Sequence, residues 1–197
     1  MNVLKKVVNF LFELGHLSYV PRSGWHKLGI KDPQSVAEHT ARTAQIAFVL
    51  ATLEGHKNPC HCATVALFHD ITETRTMDMN RVSKGYNLTD HKHASFDQIA
   101  GMEKVSENIA YVWNEFEDGK TRASVIARDA DILELMLTAR DIEEAGYKDA
   151  KEFLNSGMKR LQTESGKKIG AELYFADPNA WWKEFQPSSK FAETVGL

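Results

Sequence analysis

Two histidines and two aspartates stand in unusually apolar stretches of this chain: His39 in SVAEHTART, His69 and Asp70 in ALFHDITETRTMD, and Asp131 in RDADILELM. Burying an imidazole or a carboxylate is costly unless a charge, a hydrogen bond or a metal compensates it. Two imidazoles with two carboxylates form a mixed nitrogen and oxygen donor set. Such a set suits Mn²⁺, Fe²⁺, Co²⁺ or Ni²⁺, and it can also serve Zn²⁺ or Mg²⁺. Four protein donors on an octahedral ion leave two positions for water or a phosphate oxygen, the arrangement of a metal-assisted hydrolase. Each residue alone has a plainer reading. A lone helical histidine is usually hydrogen-bonded in a core, and Asp131 could pair with Arg128 one turn away. The order H…HD…D makes the four stronger together than apart.

These residues need helices to carry them. Val3, Leu4, Val7, Val8 and Leu11 keep a helical period that Gly15 stops. Residues 16–34, with Pro21, Gly24, Gly29 and Pro33, read as a long connection, a length that often carries function. Ser35 and Glu38 are spaced as a capping box opening the helix of His39, which Gly55 closes. Asn58-Pro59 starts the helix expected to carry His69 and Asp70, with Glu73 on the same face one turn later. DMNRVSKGYNLTDHK reads as a second loop, and one helix is expected from about His91 to Phe116, ended by Asp118-Gly119. RASVIARDADILELMLTARDIEEAG is the strongest helical run. Asp149 with Glu152 resembles a further cap, and Asp177-Pro178 begins a short helix in ADPNAWWKEF. The last ten or so residues are expected to be loosely ordered. The chain reads as all-α.

Composition narrows the function classes. The 197 residues are 43% apolar and 26% charged, as in ordinary globular proteins. A net charge of -3 offers no footprint for a nucleic acid polymer or anionic lipid, and no apolar run approaches the roughly 18 residues of a membrane span. MNVLKKVVNFLFELG reads as a structural helix rather than a leader, so a cytoplasmic location is expected. Cys60 and Cys62 are two apart and would face different ways on a helix, which fits small packing residues better than a chelating pair.

SVAEHTART, ALFHDITETRTMD and RDADILELM together resemble the HD-domain metal-dependent phosphohydrolases, over about Leu4 to Glu144. Glu73 and Asp78 after the HD pair, with VPRSGW in the first loop, are similar to the branch of 5′-deoxynucleotidases. The resemblance implies a compact multi-helix HD-domain bundle over residues 1–176, followed by a short C-terminal helix and tail over 177–197. It also implies one divalent ion on His39, His69, Asp70 and Asp131. Glu73 would hold or deprotonate the attacking water, and Asp78 would orient it or protonate the leaving 5′-oxygen. Arg22 would grip phosphate, Trp25 would stack on the base or wall off the sugar, and Lys84 would add a second positive charge.

Each has an ordinary alternative. Glu73 could be solvated or paired with Arg75 or Lys84; Asp78 could be a turn residue, Arg22 a surface arginine and Trp25 a loop anchor. His91 and His93 lie where some HD-domain enzymes hold a second ion, but positions two apart on a helix diverge. Trp181 and Trp182 could pack on the body or on a second subunit, and the family resemblance implies a homodimer. The expected partner is a small nucleotide. The competing readings are an HD-type hydrolase of a phosphodiester or polyphosphate nucleotide, a non-catalytic metal- or nucleotide-binding helical protein, and a helical interaction protein whose His-Asp pair is accidental.

Overall fold

The computed structural model describes residues 2–185. Among them are α1 (Val3–Gly15), α2 (Val36–Leu53), α3 (Pro59–Leu67), α4 (Glu73–Thr76), α5 (Arg81–Lys84) and α6 (His91–Ile99). They are followed by α7 (Lys104–Asp118), α8 (Arg122–Glu144), α9 (Lys151–Met158), α10 (Glu164–Leu173) and α11 (Ala180–Lys183). Short 3₁₀ turns cover His16–Tyr19, Ser23–Leu28 and Lys148–Ala150. The described residues hold no strand beyond an isolated antiparallel bridge between Pro21 and Ser35. The architecture is all-α.

The caps read from sequence are built as hydrogen bonds. Ser35 and Glu38 form a complete capping box on α2, and Asn58 caps α3 with Pro59 in its first turn. Helix α8 is the central post. Its Ile126, Ala127, Ala130, Leu133 and Met136 are fully buried, packed against α2 and α3 on one side and against α9 and α10 on another. The bridge matters for the site. Arg22 N–H donates to the Gln34 carbonyl at 2.9 Å and Val36 N–H to the Val20 carbonyl at 2.8 Å, so the first loop is zipped to the start of α2. That brings Arg22 beside the helix carrying His39.

Several expectations change. The helix expected from about His91 to Phe116 is two, α6 and α7, because Gly101 at φ +77° and Glu103 at φ +54° turn the chain between them. The connection 16–34 is ordered into two 3₁₀ turns, and the loop after Asp78 contains the one-turn α5. Asp149 makes no side-chain cap on α9, which follows directly from the 3₁₀ turn. The sequence reading missed α10, whose N-cap Thr163 accepts from Gly166 N–H. Trp181 and Trp182 are 77% and 54% exposed, so neither packs into the body. Cys60 is exposed and Cys62 buried, and both are free. The tail expected to be loosely ordered lies, from residue 186 on, outside the described residues.

Candidate metal and phosphate site

His69 owes its position to a helix end. The expectation of one continuous helix through His69 and Asp70 does not hold, since α3 stops at Leu67 and both residues sit in the turn before α4. A helix C-terminus leaves carbonyls without partners. His69 Nδ1 fills one of them, donating to the Ala66 carbonyl at 2.6 Å. A carbonyl only accepts, so Nδ1 carries the proton and Nε2 is left with a lone pair. Phe116 from α7 packs on the ring at 4.8 Å between centroids.

His39 is fixed in the same way from a different helix. It is fully buried in the first turn of α2, and its Nδ1 donates to Glu134 Oε2 on α8 at 2.5 Å. Both imidazoles therefore present Nε2 to a common point, 3.4 Å apart. Asp70 Oδ2 lies 3.0 Å from His69 Nε2 and 3.5 Å from His39 Nε2. Asp131 Oδ1 lies 3.2 Å from His39 Nε2 and 4.0 Å from His69 Nε2. The donor atoms of His39, His69 and Asp70 fall within 4.8 Å of one another. Asp131 joins them from α8; Arg128 instead turns to the Phe116 and Glu117 carbonyls at the end of α7.

The electrostatics of this cluster call for a cation. Burial by itself would lower the His69 imidazolium, but Asp70 and Asp131 outweigh it and push it up to about 9. Burial likewise opposes the His39 cation and Arg22 repels it, yet the hydrogen bonds to Asp131 and Glu134 raise it. For Asp70, burial disfavours the carboxylate, while His69, Arg22 and His39 hold it down at about 2. Asp131 is depressed for the same reason, burial being overridden by His39 and His69. Two carboxylates crowding two oriented imidazoles draw protons for want of another positive charge. A divalent ion fits that donor set in charge, chemistry and ligand orientation.

Around this centre stand the other expected residues. Glu73 opens α4 at 6% exposure. Burial, then the charges of Asp70 and Asp78, push its carboxyl up to about 9, while Arg22 and Lys84 pull the other way. Its Oε2 has no hydrogen-bond partner among the described residues, and Arg75, an alternative partner, is engaged by Glu13. Arg22 Nη1 lies 3.5 Å from Asp70 Oδ2 and 3.7 Å from Asp78 Oδ1. Asp78 also accepts from Ser23 N–H at 2.9 Å, after a turn in which Met77 takes φ +62°. Such a backbone conformation costs about 1–3 kcal/mol for a side-chain-bearing residue and persists only where the surroundings enforce it.

Lys84 is exposed at the end of α5. Trp25 corrects an expectation. It is 2% exposed, with its ring 4.7 Å from that of Phe153, so its faces are spent on core packing and are not offered to a base. His91 Nδ1 contacts Thr72 Oγ1 at 3.2 Å, and exposed His93 pairs with Asp97; the two diverge.

Sequence reasoning missed the support behind His39. Glu134 is 1% exposed and receives Arg42 Nε at 2.9 Å, Arg42 Nη2 at 2.7 Å and the Gln34 amide at 3.0 Å, besides His39. Burial is again overridden, by His39 and then Arg42, holding Glu134 down at about 2. A signal was available. Glu134 stands in the apolar run DILELMLT with no cation three or four residues away, so a buried glutamate there had to find its partner on another helix.

An all-α bundle with this His, His-Asp, Asp centre defines an HD-type metal-dependent protein. Residues 14–172 match the HD domain family model, and the chain belongs to that family. It is 28% identical over 146 residues to a Danio rerio protein named 5′-deoxynucleotidase HDDC2, covering 72% of each chain. The Bos taurus protein of the same name is 26% identical over 151 residues, covering 75% of this chain and 73% of that one. A solved structure titled only as genomics APC5600 superposes with a TM-score of 0.77 at 36% identity, over 90% of this chain and 99% of the other. No helix among the described residues is long and apolar enough to cross a membrane.

Proposed function

We propose that the chain is a divalent-metal-dependent phosphomonoesterase that hydrolyses deoxynucleoside 5′-monophosphates to deoxynucleoside and phosphate. His39, His69, Asp70 and Asp131 would hold the ion, which when bound would supply Lewis-acid polarisation of a phosphoryl oxygen and make water more acidic. The protein's own residues do the rest. Arg22 stays charged, because burial is outweighed by Asp78 and Asp70, and its fork offsets negative charge on the phosphoryl oxygens. Asp78 orients that fork and ties it to the Ser23 N–H. Glu73, which the charge of a bound cation would return from its raised protonation to the carboxylate, accepts the proton of a water attacking phosphorus in line. The P–O5′ bond breaks, the departing 5′-oxygen takes up a proton from solvent, and Glu73 releases to solvent the one it accepted. Lys84 adds positive charge at the rim.

The observation that carries this reading is the buried, unpartnered Oε2 of Glu73 beside two oriented imidazoles and two carboxylates. Holding a metal or a nucleotide without chemistry needs no such group. The names of the Danio rerio and Bos taurus relatives support the substrate class. A cytoplasmic homodimer is part of the same reading.

The test is phosphate release from deoxynucleoside and ribonucleoside monophosphates, triphosphates and cyclic dinucleotides by Mn²⁺-loaded protein. Deoxynucleoside monophosphates are expected to be preferred, and Glu73→Gln should lose about 10²–10⁴-fold in kcat with its metal content unchanged. Parental turnover by Glu73→Gln would remove that residue from the mechanism. Preference for a cyclic dinucleotide or triphosphate would move the chain to the phosphodiester or polyphosphate reading.

A further inference from the structure

Beside the proposed phosphate site the surface opens into a second cavity of about 460 Å³, within the size range of small-molecule sites. One wall is the 3₁₀ turn with Gly24 and Lys27, another is Asn80–Val82, and the third is the face of α9. Its position follows from chain connectivity. Gly24 is two residues from Arg22 and Asn80 two from Asp78, so the first two walls start within about 7 Å, Cα to Cα, of Arg22 and of Asp78. A phosphate gripped by Arg22 has this cavity for a neighbour.

The lining is predominantly basic. Lys27, Arg81 and Lys159 face Glu152 as the cavity's one carboxylate, in a protein of net charge -3. None of the three cations is ion-paired among the described residues, whereas Arg42, Arg75 and Arg140 all are. Phe153 supplies an aromatic wall. Its ring is held by Trp25 behind it, and its edge lies within ordinary contact distance of Gly24. Asn155 is anchored by the Tyr174 hydroxyl at 2.7 Å, leaving a fixed polar group beside the ring.

We infer that this cavity is the leaving-group subsite, and that Lys27, Arg81 and Lys159 select a deoxynucleoside that carries a phosphate of its own on the 3′ side. The inference rests on the phosphomonoesterase reading of the neighbouring site and deepens it. Phe153 offers a stacking face to the base or sugar, as aromatic walls do in sequence-tolerant nucleotide sites. The three cations meet the second phosphate. A nucleoside with no further charge satisfies the ring but leaves the cations unanswered. The chemical class is thus a nucleoside 3′,5′-bisphosphate or the 5′-phosphorylated end of a very short oligodeoxynucleotide.

The experiment compares kcat/KM for dAMP and for 2′-deoxyadenosine 3′,5′-bisphosphate at low and high salt. The parent and a Lys27→Ala, Lys159→Ala double variant are both assayed with Mn²⁺ bound. The bisphosphate should be favoured by about tenfold in the parent, the combined effect of three solvent-exposed charge contacts. High salt and the double substitution should each bring the ratio towards one. Equal kcat/KM for the two substrates in the parent, or a ratio the double variant leaves intact, overturns the inference.

Calorimetric binding of 2′-deoxyadenosine 3′-monophosphate gives a readout free of catalysis, since it has no 5′-phosphate to cleave. Binding by the parent and loss of it in the variant support the subsite even if dAMP is not hydrolysed, an outcome that defeats only the phosphomonoesterase reading. Turnover of dAMP with no binding of the 3′-monophosphate defeats the subsite alone.

Discussion

Glu134 accepts a hydrogen bond from His39 Nδ1 at 2.5 Å, joining α8 to α2 across 95 residues of chain. The contact fixes the imidazole tautomer, turns Nε2 to the metal position and raises the ligand's basicity. Arg42 and Gln34 in turn fix Glu134. Glu134→Ala should therefore weaken Mn²⁺ binding by about 10–100-fold while leaving the four proposed ligands in place. Glu134→Gln, which keeps an oxygen for His39 but loses the charge facing Arg42, should fall between. Calorimetric titration of the metal-stripped variants checks this, with circular dichroism as the folding control. Unchanged affinity in Glu134→Ala would show that Glu134 only packs.

Asp129 and Asp131 are two residues apart on α8 and do different work because positions two apart diverge around a helix. Asp131 reaches the metal position, while Asp129, fully buried, accepts from Gln162 N–H at 3.0 Å, Thr163 N–H at 2.7 Å and the Thr163 hydroxyl at 2.7 Å. Asp129→Ala strands these donors at the start of α10 and should cost about 1–3 kcal/mol. Urea unfolding should show a lower midpoint with little change in slope, and Mn²⁺ affinity should hold. A variant as stable as the parent would show that α10 docks without this anchor.

How much of this was readable beforehand differs by residue. The helical class, the capping box of Ser35 with Glu38 and the Asn58-Pro59 start are local patterns, and locality makes them legible. His39, His69, Asp70 and Asp131 were visible as ionisable groups in apolar stretches and as a family motif. Their convergence was not, since it depends on how α2, α3 and α8 cross. The end of α3 at Leu67 was hidden because HDITET has no glycine or proline; the stop is made by a side chain, His69, taking the Ala66 carbonyl. Trp25 was left undecided for a related reason. A tryptophan in a loop could equally stack on a base or anchor the loop in the core, and only the packing of Phe153 from α9 shows the anchor.

The link between α1 and α4 carries a pH dependence whose sign is fixed by geometry. Arg75 Nε bonds Glu13 Oε1 at 2.5 Å, and this bond, against some burial and with help from Thr74, holds the Glu13 carboxyl below its usual range. A depressed carboxyl stabilises the fold above its unfolded pKa, and that contribution is lost as pH falls below about 4.5 through the folded value. Both side chains are partly exposed, so the pair is worth about 0.5–1 kcal/mol. The parent should exceed Glu13→Gln in stability by that amount at pH 7 and converge with it in acid. A gap that persists unchanged at low pH would trace to packing, not charge.

Removing the metal should loosen the whole bundle, because the four proposed ligands come from α2, from the turn after α3 and from α8, the elements that enclose the core. Without a cation, Asp70 and Asp131 face each other across imidazoles that compensate them only by taking protons. A ligand that binds only the folded state stabilises by about 2.7 kcal/mol at one hundred times its Kd. For a chain of this size that corresponds to a rise in Tm of about 5–10 °C. Protein stripped with a chelator should therefore melt that much lower than the same protein after Mn²⁺ is returned. Asp70→Asn separates this site from adventitious binding. Stripped Asp70→Asn should melt with little response to Mn²⁺, since one anionic donor is gone. If it gains as much Tm as the parent, the stabilising ion sits elsewhere on the molecule.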